Sequence, residues 1–400
     1  MAKQETPFYM GDARTMKSIG IGMVGCGAMG RLVAREVLRQ SEGIELRGLF
    51  DPEEKSIQAT LAELNPKAKV YRDYHSLVKS PDVDWVMIAS WNCHHRDQTI
   101  AAFDAGKDVF CQKPLATNIE DCLAMCRAWK KSGRKFNIGF TLRYSPHYRK
   151  VKELLDSGFV GQIISLEFNE TLDFNHGGYI MGDWRRLTKY AGTHLLEKCC
   201  HDIDLVNWMA RSRARMVASF GGIDFFTPTN TQHINRVGQN SEGRDAYRTW
   251  SSLIGLNPFT SDKDIIDNQV AIIEYENGVR ATFHANCNAG IPERRMYILG
   301  SEGAIRADVI SGIIEAKRIG FDTKIERFDT GVFGNHGGGD EVLGKELVES
   351  MLKGTEPKVG LVDGLKSAVT CFAIDKSMET GKVVKLDPYW RRTERILEGI

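Results

Sequence analysis

The chain has 400 residues, enough for two domains that share an interface. Hydrophobic residues make up 42% and charged residues 26%, the balance of a folded chain and not of a disordered one. Lys plus Arg is 53 against 52 Asp plus Glu, a formal net charge of +1, and no long basic block occurs. No nucleic-acid partner is therefore expected. No apolar run approaches the ~20 residues of a membrane span, so no membrane partner is expected either.

Residues 1–16 read as an N-terminal arm, without a charged-then-apolar secretory pattern or a twin-arginine signal. Met16-Lys17 stands just before the first strand pattern and could be a second start. Nine cysteines lie scattered in apolar contexts with no Cys-x-x-Cys pair, which predicts neither a disulfide framework nor a zinc cluster. A reduced, cytoplasmic chain is expected.

From 17 to 140 short apolar runs alternate with amphipathic helices. Strands are predicted at Ile19–Val24, Ile44–Phe50, Trp85–Ser90 and Asp108–Cys111, with helices at Arg31–Gln40, Ser56–Leu64 and Gln98–Ala105. Helix-length connections between strands predict a parallel sheet covered on both faces. The texture changes after about residue 160. Strands are expected at 163–171, 269–276, 279–287, 295–300 and 313–318, with Asn277-Gly278 as a type I′ hairpin turn. They predict a mostly antiparallel open sheet with helices on one face. Residues 227–265, rich in Thr, Asn, Ser and Gly, read as a long inserted loop. Helices are expected at 341–353 and 364–380, the second packing back near the first domain. The fold class is thus α/β, with a first domain at 17–140, a second at 141–390 and a tail at 391–400.

Gly25-Cys26-Gly27-Ala28-Met29-Gly30 is a G-x-G-x-x-G set between a strand and a helix. Such glycines allow a tight turn and let a pyrophosphate approach the helix N-terminus. Asp51 follows at the end of the second strand, where a ribose-binding carboxylate belongs. Pro52-Glu53-Glu54 supplies no cation for a 2′-phosphate, so NAD is expected over NADP. Ser90, Trp91, Asn92 and His95 end the third strand, where open sheets bind ligands. They are candidate cofactor contacts, and His95 reads equally well as a packed histidine bracing the loop.

Gln112-Lys113-Pro114 ends the fourth strand. The residue before a proline is biased to extended backbone, which would aim Lys113 into the crevice. There its ammonium could bond a substrate hydroxyl, although a surface lysine on a turn fits the same pattern. Glu197, His201 and Asp204 differ by four and three residues and share one helix stripe. A carboxylate one turn from a histidine suits a general base. An ion pair or a divalent metal site also fits, but there is no H-E-x-x-H pattern, and no metal is expected.

Taken in order, these segments resemble the Gfo/Idh/MocA family of oxidoreductases. The resemblance rests on Gly25–Gly30, on Ser90–His95 for the family's Thr-Pro-Asn-x-x-His, and on Gln112-Lys113-Pro114 for its Glu-Lys-Pro. It rests further on Gly139–Pro146 with Arg143, on Gly158–Ile163, and on Glu197-x-x-x-His201-x-x-Asp204 for its Asp-x-x-x-His-x-x-Asp. It implies a Rossmann domain, then an α/β domain whose open sheet makes dimer or tetramer contacts. It also implies nicotinamide-dependent redox chemistry on a sugar, a cyclitol or a derivative. On that model Lys113 steers the hydroxyl, His201 is the acid/base and Glu197 assists it, while Gln112 and Arg143 border the cofactor. Gln112 for glutamate, Glu197 for aspartate and Trp91 for proline are departures. Tyr179, Trp184 and Arg185, ahead of the 197–204 helix, and His336 in Asn335-His-Gly-Gly-Gly-Asp340 are candidate substrate contacts. Two other classes compete with a dehydrogenase. One is a hydrolase that oxidises a sugar transiently with held NAD; the other is a nucleotide sensor without chemistry, which would not need Lys113, Glu197 and His201.

Overall fold

The structure is a computed structural model and describes residues 18–252, 254–332 and 336–398. The arm 1–16 and Asn335 lie outside the described residues. Among the described residues fifteen strands form two sheets: β1 Ile19–Val24, β2 Ile44–Phe50, β3 Lys69–Val70, β4 Trp85–Ile88, β5 Asp108–Cys111, β6 Phe136–Ile138, β7 Ile163–Asp173, β8 Ala214–Gly222, β9 Asn268–Tyr275, β10 Arg280–Ala289, β11 Arg295–Gly300, β12 Gly303–Asp308, β13 Ile313–Arg318, β14 Glu326–Asp329 and β15 Val384–Lys385. The first sheet is all parallel in the order β3-β2-β1-β4-β5-β6. Chain order reverses beside β1, so the C-terminal ends of β1 and β4 open on one crevice, the place where such sheets take ligands. β4 is buried along its whole length, as the unbroken run Trp-Val-Met-Ile requires.

The second sheet has the order β14-β13-β12-β11-β7-β10-β9-β8-β15 and is antiparallel except where β10 runs parallel to β7. Helices His194–Ala210 and Leu361–Thr380 cover one face. The other face leaves Phe220 69% and Ile272 59% exposed. Among the described residues no helix is long and apolar enough to cross a membrane.

Three expectations need correction. Asn277-Gly278 does turn a hairpin, but only Gly278 takes a positive φ, +84°. The Gly278 N–H bonds Tyr275 O and the Tyr275 N–H bonds Val279 O, so the loop is one residue longer than a type I′ turn. Asn277 instead spends its side chain on Ala210 O, tying the hairpin to the end of the 194–210 helix. The stretch 227–265 is not a bare loop: it holds helix Gln232–Val237 and, with neighbouring Phe226, sends Tyr247, Phe259 and Ile265 into a second small core with Ile180 and Met181. Residues 391–398, read as tail, are the latter part of helix Asp387–Glu398. That helix docks on the first sheet's helix Ile119–Ser132, where Lys130 Nζ bonds Leu397 O at 2.7 Å and Arg392 pairs with Glu120 at 2.6 Å.

Candidate functional site

The glycine turn joins β1 to helix Ala28–Leu38, and each glycine answers a different constraint. Gly25 has φ +93°, and a Cβ there would meet Ser90 N at 2.4 Å. A Cβ on Gly30 would meet Gly25 O at 2.5 Å, so this glycine lets the helix lie against the turn. At Gly27 a Cβ would meet nothing within 4 Å, and Gly27 caps the helix with no side-chain acceptor. The helix N-terminus therefore faces open space, with Ala28 and Met29 exposed beside it. A pyrophosphate fits there, on free N–H groups and the positive end of the helix dipole. Asp51 stands next to it, its carboxylate accepting from Cys26 N at 2.6 Å and Glu53 N at 2.8 Å. Each oxygen keeps a lone pair for a ribose hydroxyl.

Along the crevice, Trp91 stacks flat on Trp184 with centroids 5.0 Å apart, and Asn92 Nδ2 bonds Ala191 O at 2.8 Å. Both contacts tie the β4 loop to the second domain. Ser90 Oγ is spent on Gln98 Oε1 at 2.6 Å. His95, offered by its motif as a cofactor contact, is fully buried instead. Its Nδ1 lies 2.8 Å from Pro114 O and its Nε2 3.2 Å from Ser90 O, so it braces one ligand loop against the next. Burial lowers its pKa to about 4 against the pull of both carbonyls, and as a neutral ring it donates to one carbonyl and only packs against the other. Gln112 is buried beneath Gly139, with its Nε2 unpartnered.

Lys113 leaves β5 toward the 194–210 helix. Its Nζ bonds Glu197 O and lies 3.6 Å from Glu197 Oε1. Arg185 Nε donates to the same oxygen at 3.1 Å. Burial raises the Glu197 pKa, but Lys113, Arg185 and Lys198 outweigh it and hold the group down at about 2. The 194–210 helix starts where Thr193 Oγ1 accepts from Leu196 N at 3.2 Å, and all of it but Lys198, Asn207 and Trp208 is buried. That packing presents the 197–204 stripe to three separate sets of partners. Glu197 faces Lys113 and Arg185. His201 faces Phe140 and His336, with ring centroids 6.1 and 5.9 Å away. Asp204 binds Arg143 through two bonds of 2.6 and 2.7 Å.

One expectation falls with this arrangement. Glu197 does not hydrogen-bond His201, because its carboxylate is drawn to two cations instead. Arg143 is held between Asp204 and Asp363, 3.2 Å away, and ties the 194–210 helix to helix Leu361–Thr380. His201 Nδ1 is buried with no partner. Burial first, and then Lys113, Arg294, His336 and Lys198, push its pKa well below 6.5. His336 is itself held by Asp340 at 2.9 Å.

Sequence reasoning missed a buried ion cluster behind this site. Arg294 donates to both oxygens of Asp202 at 2.7 Å and to Glu170 at 3.0 Å, and Lys198 reaches Glu170 at 3.1 Å. Burial raises the Asp202 pKa against the pull of Arg294, while Arg294 and Lys198 hold that of Glu170 down. Glu170, Cys199 and Asp202 lie close enough together to suggest a metal, but two cations already occupy their carboxylates. Nothing in the sequence around Arg294 marks it. Trp250, by contrast, is the one tryptophan in a Thr, Asn, Ser and Gly-rich stretch, a usable signal that was not read.

With the glycine turn and the crevice laid out, comparison with known proteins decides the family. Residues 19–140 match the model of an oxidoreductase family with an NAD-binding Rossmann fold, and residues 148–306 match the GFO/IDH/MocA C-terminal domain. The chain belongs to the Gfo/Idh/MocA family. Its relatives include an inositol 2-dehydrogenase/D-chiro-inositol 3-dehydrogenase of Lactiplantibacillus plantarum, 23% identical over 97% of this chain and 100% of that one. An inositol 2-dehydrogenase of Gluconacetobacter diazotrophicus is 37% identical over 48% of this chain and 54% of its own length. A levoglucosan dehydrogenase solved with NADH and levoglucosan shares the fold, with TM-score 0.76 and 18% identity over 92% of this chain and 100% of that one. This Gfo/Idh/MocA chain is therefore an oxidoreductase with an NAD-binding Rossmann domain.

Proposed function

We propose that the chain oxidises a ring hydroxyl of a sugar, a cyclitol or a sugar derivative with NAD. The observation that carries this reading is the meeting of Lys113, Glu197 and His201 at the crevice that also holds the open Gly27 turn. Bound NAD supplies the hydride acceptor. The protein has then to orient the hydroxyl and take its proton. Lys113 is the donor to the hydroxyl oxygen, favouring negative charge there as the carbon gives up its hydride. His201, kept neutral, accepts the proton through Nε2. Glu197 is a positioning residue: it holds Lys113 and Arg185 in place and does not tune the imidazole. Tyr179, Trp184, Arg185 and His336 line the substrate side of the same reading. The relatives' names, two inositol dehydrogenases and a levoglucosan dehydrogenase, support a ring-shaped polyol as the substrate.

A base works in its unprotonated form, so its contribution is lost as pH falls through its pKa. With His201 below 6.5, kcat/KM stays level from pH 7 upward and falls on the acid side with a midpoint under 6.5. A midpoint near 7.5 that disappears in His201→Ala would contradict the neutral-base assignment.

Asp51 is proposed to bind the adenosine ribose and repel a 2′-phosphate. NAD then binds more tightly than NADP, and Asp51→Ala narrows the difference. Titration of both cofactors into the unmutated protein checks this; equal affinities would remove the assignment. The uncovered sheet face with Phe220, Val270 and Ile272 supports a homodimer or homotetramer, and nine free cysteines support a reducing, cytoplasmic setting.

A further inference from the structure

We infer that the substrate carries a second sugar ring and that Trp250, on the 227–265 insertion, is its platform. This rests on the dehydrogenase reading for the position of the first ring. The supporting feature is an aromatic strip that continues past the reacting centre. Trp91 lies on Trp184, and the Arg185 guanidinium sits 4.5 Å over Trp184 and 5.4 Å from Tyr179. Tyr179 lies 5.5 Å from Trp250. Arg185 bonds both Glu197 and the Tyr179 hydroxyl, the latter at 3.0 Å, so Trp250 stands only three side chains from Lys113.

A single ring held by Lys113 and His201 leaves Trp250 beyond its edge, on the far side of Tyr179. Trp250 is nonetheless 45% exposed and is fixed in place. One face is stacked on His176 at 4.3 Å and 26°. The segment around it is clamped to the crevice wall at three points. Ser252 Oγ donates to Asp183 Oδ2 at 2.6 Å, Leu256 N to Gly182 O at 3.1 Å, and Tyr247 N to Asn175 Oδ1 at 2.8 Å. A lone exposed tryptophan would mean little. A clamped one that extends an aromatic wall with a cation at its centre has the make-up of a ligand subsite, apolar surface with a few placed polar groups. A pyranose offers a matching apolar C–H face with hydroxyls at its rim. The chemical class is therefore a disaccharide or a glycoside whose second unit is a sugar, oxidised on the ring nearer Lys113.

The test uses the NAD-loaded protein with maltose, cellobiose and melibiose as two-ring probes, and D-glucose and myo-inositol as one-ring probes. At least one disaccharide should exceed both single rings in kcat/KM by about 10-fold, the size of one good ring contact. Trp250→Ala should remove most of that ratio and Trp250→Phe should restore it. Saturation-transfer NMR, which needs no turnover, should show contact to both rings of that disaccharide, with the second lost in Trp250→Ala. If contact to both rings is seen while no probe yields NADH, the second-ring inference stands and the dehydrogenase reading fails. Single rings turned over as well as every disaccharide, or no Trp250-dependent contact to a second ring, would overturn the inference.

Discussion

Lys113→Ala and His201→Ala each lower kcat by about 100-fold or more while NAD still binds. The size follows from what each group does. Removing a positioned proton acceptor or an oxyanion-type donor costs roughly 10²–10⁴ in rate, because both act where charge moves in the transition state. Binding should survive because the phosphate cradle is built from backbone at Gly25–Gly30 and from Asp51, none of which touches either side chain. Lys113→Ala also strips Glu197 of one of its two closest cations and leaves Arg185 as its ion-pair partner. The check is steady-state turnover at saturating NAD and substrate, with cofactor affinity measured separately by calorimetry. Turnover within a few-fold of the parent in either variant would remove that residue from the mechanism.

Arg294→Met should lower the stability of the fold by about 3–5 kcal/mol, the usual cost of breaking a buried ion pair from one side. The side chain is 2% exposed and is the main partner of Asp202 and Glu170. Without it Glu170 keeps only Lys198, and its charge is left in a site closed to water. Methionine fills a comparable volume, so the loss reports charge rather than a cavity. Asp202 follows His201 in the chain, so any shift of this cluster is transmitted to the site. Urea or thermal unfolding of parent and variant gives the answer, and a difference under about 1 kcal/mol would show that the cluster relaxes or takes in water.

What could be read in advance divides along physical lines. The parallel sheet was legible because buried strands such as Ile19–Val24 are continuous apolar runs and because Gly25, Gly27 and Gly30 answer local constraints of one turn. β3, two residues long, and β12, Gly303–Asp308, whose inward residues are only Gly, Ile and Ala, gave no such signal. Spacing brought Glu197, His201 and Asp204 to one stripe, but it could not say what faces that stripe. Lys113 and Arg185 come from 84 and 12 residues away and claim Glu197, while Arg143 claims Asp204 from 61 residues away. The same limit explains His95. A motif places it at a ligand loop, and only the third dimension shows both ring nitrogens against backbone carbonyls. Arg294 was invisible because a buried arginine looks like any surface one until its acids are found. The insertion misled through its composition, since Tyr247, Phe259 and Ile265 are few among polar residues yet meet in one small core.

The most direct measurement of the central claim follows NADH formation and aglycone release together, across a panel of sugars, cyclitols and aryl glycosides with the purified protein and added NAD. A dehydrogenase working through Lys113 and His201 yields one NADH per substrate oxidised, with no aglycone released, and loses that signal in Lys113→Ala. Aglycone released from a glycoside with no net NADH would contradict it and establish the transient-oxidation hydrolase in its place.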